Sequence, residues 1–370
     1  MKKILAIATI IGTVIGAGVL GLPYAISVSG FIPGVVLTII ISFCMTLLLL
    51  YLGEVVLRCR EVYQIPGLVR KYLGGRFYWL TLLMFALSVY GALISYVVGV
   101  SESLSVMLPG TQVTYMLLFT ALMSIPVIKG IHLIDKVQLG LISVLIFLII
   151  IVTILISPGI NVNNLLTINL GHFFFPFGVV FFALTGYSVM PELEQILLKH
   201  KKQFMPSVLI AMTSCTLLYL LFSGVFIGVY NQGVSEVATQ SLPDALGFFG
   251  NAIAVFGMTT SYMGLGVALR DVFKQDLGLS KFYAWALTCL APLIISIIIR
   301  PSFIQPILIS GAFTGTLTGF IIIYLWLKAR KSSGVKPAFK APLGVPGAVI
   351  VSVILGIGLV MTALELINLL

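Results

Sequence analysis

The residues best placed to do chemistry here are glycines and a few hydroxyls, and the chemistry they suit is reversible binding. The run Gly12-Thr13-Val14-Ile15-Gly16-Ala17-Gly18-Val19-Leu20-Gly21-Leu22-Pro23 sets four glycines and a proline in an apolar segment. Each Gly disfavours helix by roughly 1 kcal/mol relative to Ala, and Pro by about 3 kcal/mol. A helix through this run is therefore expected to open near Gly16–Gly18. Opening would free amide N–H groups that suit a carboxylate. The competing reading is a small-residue packing face, since Gly12 and Gly16 form GxxxG. A second run, Phe181-Phe182-Ala183-Leu184-Thr185-Gly186-Tyr187-Ser188-Val189-Met190-Pro191-Glu192, places Gly186 before Pro191 at the interval that separates Gly18 from Pro23. The most polar patch in any apolar run is Thr259-Thr260-Ser261. Its hydroxyls suit a hard cation, and are equally able to bond back to carbonyls of their own helix.

The elements that must position these residues follow from composition. Of 370 residues 60% are apolar and 9% charged, and mean hydropathy is +1.18. Such a chain cannot cover itself with polar surface, so water is excluded as its main solvent. A bilayer crossing takes about 20 apolar residues. Eleven stretches qualify: about 4–29, 31–57, 78–107, 112–129, 137–157, 173–190, 204–230, 246–270, 283–299, 303–327 and 344–367. They are too long for barrel strands, which predicts an all-α membrane protein. Lys2 and Lys3 ahead of the first stretch imitate a signal peptide, but the run is too long and is read as a retained helix.

With the N-terminus in the cytoplasm, every Lys and Arg except Arg300 falls inside, and the C-terminus lies outside. The net charge of +10 is then topological, and nucleic-acid binding loses its support. The inner loop at about 58–77 carries Ile65, Leu68, Val69 and Leu73 beside Arg70 and Lys71, which suits a short interfacial helix. Glu54 and Glu102 sit near span ends and are expected to snorkel. His132 and His172 fall in loops, so neither reads as a buried proton relay. Cys44, Cys59, Cys215 and Cys289 lack metal or disulfide spacing and are expected reduced and buried.

One membrane domain, 1–370, fills the chain. Interrupted helices at corresponding places in two halves point to an inverted-repeat transporter with a midplane site. The repeats would be about 4–157 and 173–327, with 344–367 as an addition. A channel would favour polar rings along a pore, and an enzyme would need clustered His, Asp, Glu or Cys. Neither pattern is present, so no enzyme and no cofactor are expected.

The run IGTVIGAGVLGLPY, Ile11 to Tyr24, resembles helix 1 of the amino acid–polyamine–organocation superfamily. It is most similar to the aromatic and hydroxy amino acid permeases and the amino acid/auxin permeases. Val62-Tyr63 with Lys71-Tyr72-Leu73-Gly74 resembles their loop 2–3, and Tyr96 with Gly99 and Glu102 their helix 3. Thr260-Ser261-Tyr262 through Leu269-Arg270-Asp271 resembles helix 8, and Phe339-Lys340-Ala341-Pro342-Leu343-Gly344 the helix 10–11 loop. The resemblance implies a leucine-transporter-type five-plus-five fold with broken helices 1 and 6. It implies secondary active transport of an amino acid across the cytoplasmic membrane, with no obligatory protein partner.

Carried over by position, amides around Gly16, Ala17 and Gly18 would hold the carboxylate. Carbonyls at Val14, Phe182 and Thr185, beside Gly186, would hold the ammonium. Tyr96 is a candidate substrate contact, and Phe182, adjoined by Phe181, a candidate aromatic gate. In sodium-coupled relatives, helix 8 hydroxyls pair with helix 1 carbonyls, here Thr259, Thr260 and Ser261 with Gly12 and Ile15. Proton-coupled relatives can carry a helix 5 lysine where this chain has Leu145, which weakens the proton version without proving sodium and leaves Na⁺ and H⁺ both open as the coupling ion. A neutral, apolar or aromatic side chain is the expected substrate. Another small amine, a metal ion or a channel function are the alternatives. A metal carrier of related fold would need an acidic residue in helix 1, and span 1 has none.

Overall fold

A computed structural model of the chain describes residues 2–59, 61, 63–129, 135–332 and 334–369. Helix is the only regular element among the described residues, as expected where lipid offers the backbone no hydrogen bonds. The order is α1 (Lys2–Val14), α2 (Leu22–Ser29), α3 (Phe31–Leu57), α4 (Ile65–Leu73), α5 (Gly75–Met107), α6 (Gln112–Lys129) and α7 (Asp135–Ile156). It continues with α8 (Pro176–Ala183), α9 (Met190–Ile196), α10 (Phe204–Tyr230), α11 (Asp244–Gln275), α12 (Lys281–Ile299), α13 (Ile304–Ile309), α14 (Thr316–Ser332) and α15 (Gly344–Leu369). Arg60, Val62 and His132 lie outside the described residues.

Nine helical runs among the described residues are long and apolar enough to cross a bilayer, and the bent pair Lys2–Val14 with Ala17–Ser29 makes a tenth. α7 contributes a shorter apolar stretch, Ser143–Gly159. The helix expected at 173–190 starts at Pro176 and runs, through a break, to Ile196. Proline fits the first helical turn, where its missing N–H is no loss, so the start moves to Pro176. The short inner-loop helix forms as α4, with Leu68 and Val69 buried. All four cysteines are free and buried.

Interiors between apolar helices gain from close backbone approach at small residues. The closest approach joins α8 to the π-helical turn Ser310–Gly315 that links α13 and α14. A Cβ at Gly178 would stand 2.1 Å from the Leu308 carbonyl oxygen, and one at Gly311 1.9 Å from that of Gly178. The two backbones touch, with no side chain between them.

Glu54 corrects the snorkelling expectation. It is fully buried, 0% exposed. Its Oε1 accepts from Arg58 at 3.1 and 2.6 Å and lies 3.4 Å from Arg330 Nε. Its Oε2 accepts from Trp326 Nε1 and from the Ala341 amide, each at 2.8 Å. The carboxylate thus ties α3 to α14 and to the segment before α15. A buried charge persists when paired and hydrogen-bonded on every side, and here α14 brings the partners that make reaching for water unnecessary.

Candidate functional site

Two helices break at the centre of the fold, and the breaks face each other. α1 ends at Val14, its last ladder bond running from the Ile15 amide to the Ile11 carbonyl at 2.8 Å. The chain then bends by 52° and resumes as a 3₁₀ turn, Ala17–Gly21, before α2. The first amide that turn uses is Val19, donating to Gly16. The amides of Gly16, Ala17 and Gly18 therefore stand at its open N-terminal end, and the carbonyls from Gly12 to Ile15 lie past the α1 ladder. A helix end leaves such groups without intrahelical partners. Donors and acceptors without ladder partners thus flank one break in the chain.

The second break follows α8. Leu184, Thr185 and Gly186 leave the helix before a short 3₁₀ turn, Tyr187–Val189, leads into α9. The Thr185 amide closes on the Phe182 carbonyl at 3.1 Å, and its hydroxyl on the Phe181 carbonyl at 2.9 Å. The two breaks touch at glycines. A Cβ on Gly18 would meet Ala183 at 3.2 Å and the Phe182 ring at 3.3 Å, and one on Gly186 would meet Val14 at 2.8 Å. Both glycines let two backbones lie closer than side chains allow.

A third helix closes the joint. Tyr219, on α10 and fully buried, sets its hydroxyl 2.9 Å from the Val14 carbonyl oxygen and 3.0 Å from that of Ala183. One phenol thus contacts the last carbonyls of both half-helices. Tyr96, on α5 and buried, meets the Ser261 hydroxyl. Ser261 in turn faces the helix 1 break, 3.6 Å from where a Gly16 Cβ would stand.

Such a break in a membrane helix bundle, with free backbone donors on one side and acceptors on the other, suits a small zwitterion. Comparison with known sequences gives it a lineage. The tryptophan/tyrosine permease family model matches residues 1–364. The chain belongs to that family. Glutamine transporter 2 of Aliivibrio fischeri is 23% identical over 340 residues, covering 86% of this chain and 87% of that protein. Tyrosine-specific transport system 1 of Haemophilus influenzae is 23% identical over 347 residues, covering 87% and 86%. Among solved structures, the manganese transporter of Eremococcus coleocola, in complex with an aromatic bis-isothiourea substituted compound, has a TM-score of 0.65 at 12% identity. The match covers 96% of this chain and 86% of that chain, and the likeness is one of fold. The protein is thus an amino acid permease spanning a membrane several times, a transporter and not an enzyme.

Within the permease, Val14, Gly16, Gly18, Tyr96, Phe182, Gly186 and Ser261 gather around the joint, with Ala17 buried at its edge. Phe181 does not join them. Its ring packs on Phe177 and on Gly315 of the π turn, while only its carbonyl reaches Thr185. Adjacent helical residues point about 100° apart, so Phe182 takes the gap and Phe181 the far side.

The helix 8 hydroxyls split. Thr259 donates to the Val255 carbonyl at 2.6 Å and Thr260 to that of Gly257 at 3.0 Å, both within α11. These are the back-bonds that the alternative reading of the patch expects, and Ser261 is the residue of the three that reaches the helix 1 break. Leu145 of α7 packs where a Cβ on Gly257 would stand, at 3.2 Å, beside this patch. Among the described residues no group of three or more His, Cys, Asp or Glu gathers to hold a metal.

Sequence reasoning missed Tyr219 and Ala183. The available signal was a tyrosine in mid-helix of an apolar span, whose hydroxyl must find a partner when buried.

Proposed function

We propose that this permease is a secondary active transporter of neutral amino acids in the cytoplasmic membrane, working by alternating access. The observation that carries the reading is the facing pair of helix breaks at Gly18 and Ala183. Amides at Gly16, Ala17 and Gly18 hold the substrate carboxylate, and carbonyls at Val14, Phe182 and Thr185 the ammonium. Tyr96 and Phe182 border the side-chain space. Binding through main chain recognises the shared amino acid backbone, which fits relatives named for glutamine and for tyrosine. Both are neutral, and among the described residues no acidic side chain is placed at the joint to favour a basic one.

The same reading gives eleven spans, with α7 as the fifth, arranged as a five-plus-five inverted repeat of the amino acid–polyamine–organocation superfamily type. The Lys and Arg distribution supports a cytoplasmic N-terminus and an outer C-terminus. The lone pairs of Thr259 and Thr260, with the Gly12 and Ile15 carbonyls, form the coupling-ion site. Leu145 in place of a lysine there supports Na⁺ over H⁺.

The test is a binding screen of the twenty amino acids on purified permease, with and without sodium and at two pH values. Stereoselective, saturable binding of neutral amino acids is expected. Binding of none of them, or uptake of divalent metal in their place, overturns the reading.

A further inference from the structure

The Tyr219 hydroxyl faces two acceptors with one proton. A phenol carries a single O–H and can accept through its oxygen, yet carbonyl oxygens lie 2.9 and 3.0 Å away on opposite half-helices. Tyr219 is 0% exposed, so bulk water does not reach the phenol. A carbonyl short of a donor in such surroundings is costly. The phenol has one proton for two acceptors, and the carbonyls of Val14 and Ala183 must share it.

An α-ammonium brings three donors and a positive charge. We propose that Tyr219 is a positioning residue for the substrate ammonium and sets the requirement for it. With the site empty, the hydroxyl holds the two half-helices in register by sharing its proton between Val14 and Ala183. With substrate bound, the ammonium takes the Val14 carbonyl and donates to the Tyr219 oxygen, whose own proton passes wholly to Ala183. No bond other than hydrogen bonds changes, and the phenol stays neutral. Recognition of the ammonium is thereby tied to the linkage between the α1 and α8 ends. A carboxylic acid without the amino group leaves the two carbonyls sharing one proton, so it is rejected even where its carboxylate and side chain fit. This inference rests on the amino acid reading above and adds to it a residue on α10.

The test compares L-tyrosine and L-glutamine with their des-amino counterparts, 3-(4-hydroxyphenyl)propanoate and 4-carbamoylbutanoate, on the full-length permease in lipid nanodiscs. Wild type is expected to bind at least one amino acid more tightly than its counterpart. In Tyr219→Phe the amino acid affinity should fall about tenfold or more, the loss of a hydrogen bond to a charged group. The affinity for the des-amino acid should stay within about twofold, since that ligand never used the hydroxyl oxygen. Parallel losses for both ligands would mark Tyr219 as packing alone, and unchanged affinities would mark it as idle; either overturns the inference.

Should Tyr219→Phe not fold, 3-fluorotyrosine at position 219 keeps the ring, strengthens the donor and weakens the acceptor. It should lower amino acid affinity several-fold and leave the des-amino acid unmoved. Equal effects on the two ligands, or none, again count against the role. Should neither amino acid bind, the same comparison is made with the tightest binder of the twenty and its des-amino counterpart. A folded wild-type permease that binds none of the twenty overturns the amino acid reading and takes this inference with it. Wild-type binding with an indifferent Tyr219 overturns the inference alone.

Discussion

Tyr219 and Glu54 each tie three stretches of chain together, one at the helix breaks and the other near the end of α3, and they use opposite materials. Tyr219 is neutral and offers one proton to two carbonyls. Glu54 is a carboxylate whose two oxygens meet Arg58, Arg330, Trp326 and the Ala341 amide. A joint that must change partners works when its bonds are few and neutral, because each exchange then costs little. A knot that must hold works when a buried charge would be stranded by letting go. On this view the charge scarcity of the chain is uneven by design. The gap is built from backbone and hydroxyls, and the firm attachment of α3 to α14 takes the buried ions.

The sharpest way to break this contrast is at Glu54. Glu54→Ala should destabilise the fold by about 3–5 kcal/mol, because Arg58 and Arg330 lose a buried carboxylate and the Trp326 and Ala341 N–H groups lose their acceptor. Thermal unfolding and yield of detergent-purified protein measure it, and a near-wild-type melt would show that the knot is ornamental. Gly18→Leu comes next. Its Cβ alone stands 3.2 Å from Ala183, and overpacking of that kind costs about 1–3 kcal/mol in a well-packed site. Its larger effect should be on function, with substrate binding lost while the protein still folds; unchanged binding counts decisively against a site at the breaks.

Smaller effects refine the contrast. The double change Thr259→Ala and Thr260→Ala should weaken sodium stimulation of uptake about tenfold or more, equivalent to ~1.4 kcal/mol. Uptake that collapses with a proton uncoupler and ignores sodium removal rules out the sodium site. Phe182→Leu should move substrate affinity only a few-fold, as the loss of an aromatic contact worth about 0.5–1.5 kcal/mol allows. No change in affinity or in release rate removes Phe182 from the gate.

How much of this is written in the sequence depends on whether the cause is local. The breaks are legible, because glycine and proline act on their own backbone: opening near Gly16–Gly18 and around Thr185–Gly186 follows from composition alone. So does α4, whose apolar and basic residues alternate with helical period. Tyr219 is not legible, since a helix apolar all round carries no periodic mark of its inward face when lipid and core are equally oily. The same cause hides the difference between Phe181 and Phe182. Glu54 misleads for another reason. Its place near a span end suggests a route to water, and its partners Trp326 and Ala341 lie so far along the chain that only the folded molecule brings them near.

The backbone contact between Gly178 and Gly311 carries a consequence for how the permease tolerates change. A methyl group at either position would overlap a main-chain carbonyl, which cannot rotate aside as a side chain can. In a saturation library selected for uptake, positions 178 and 311 should accept glycine alone, while the many lipid-facing leucines exchange freely for isoleucine or valine. Such a weld also limits how the two elements can move. The α8 half-helix and the turn leading into α14 could not slide past each other without parting these two backbones.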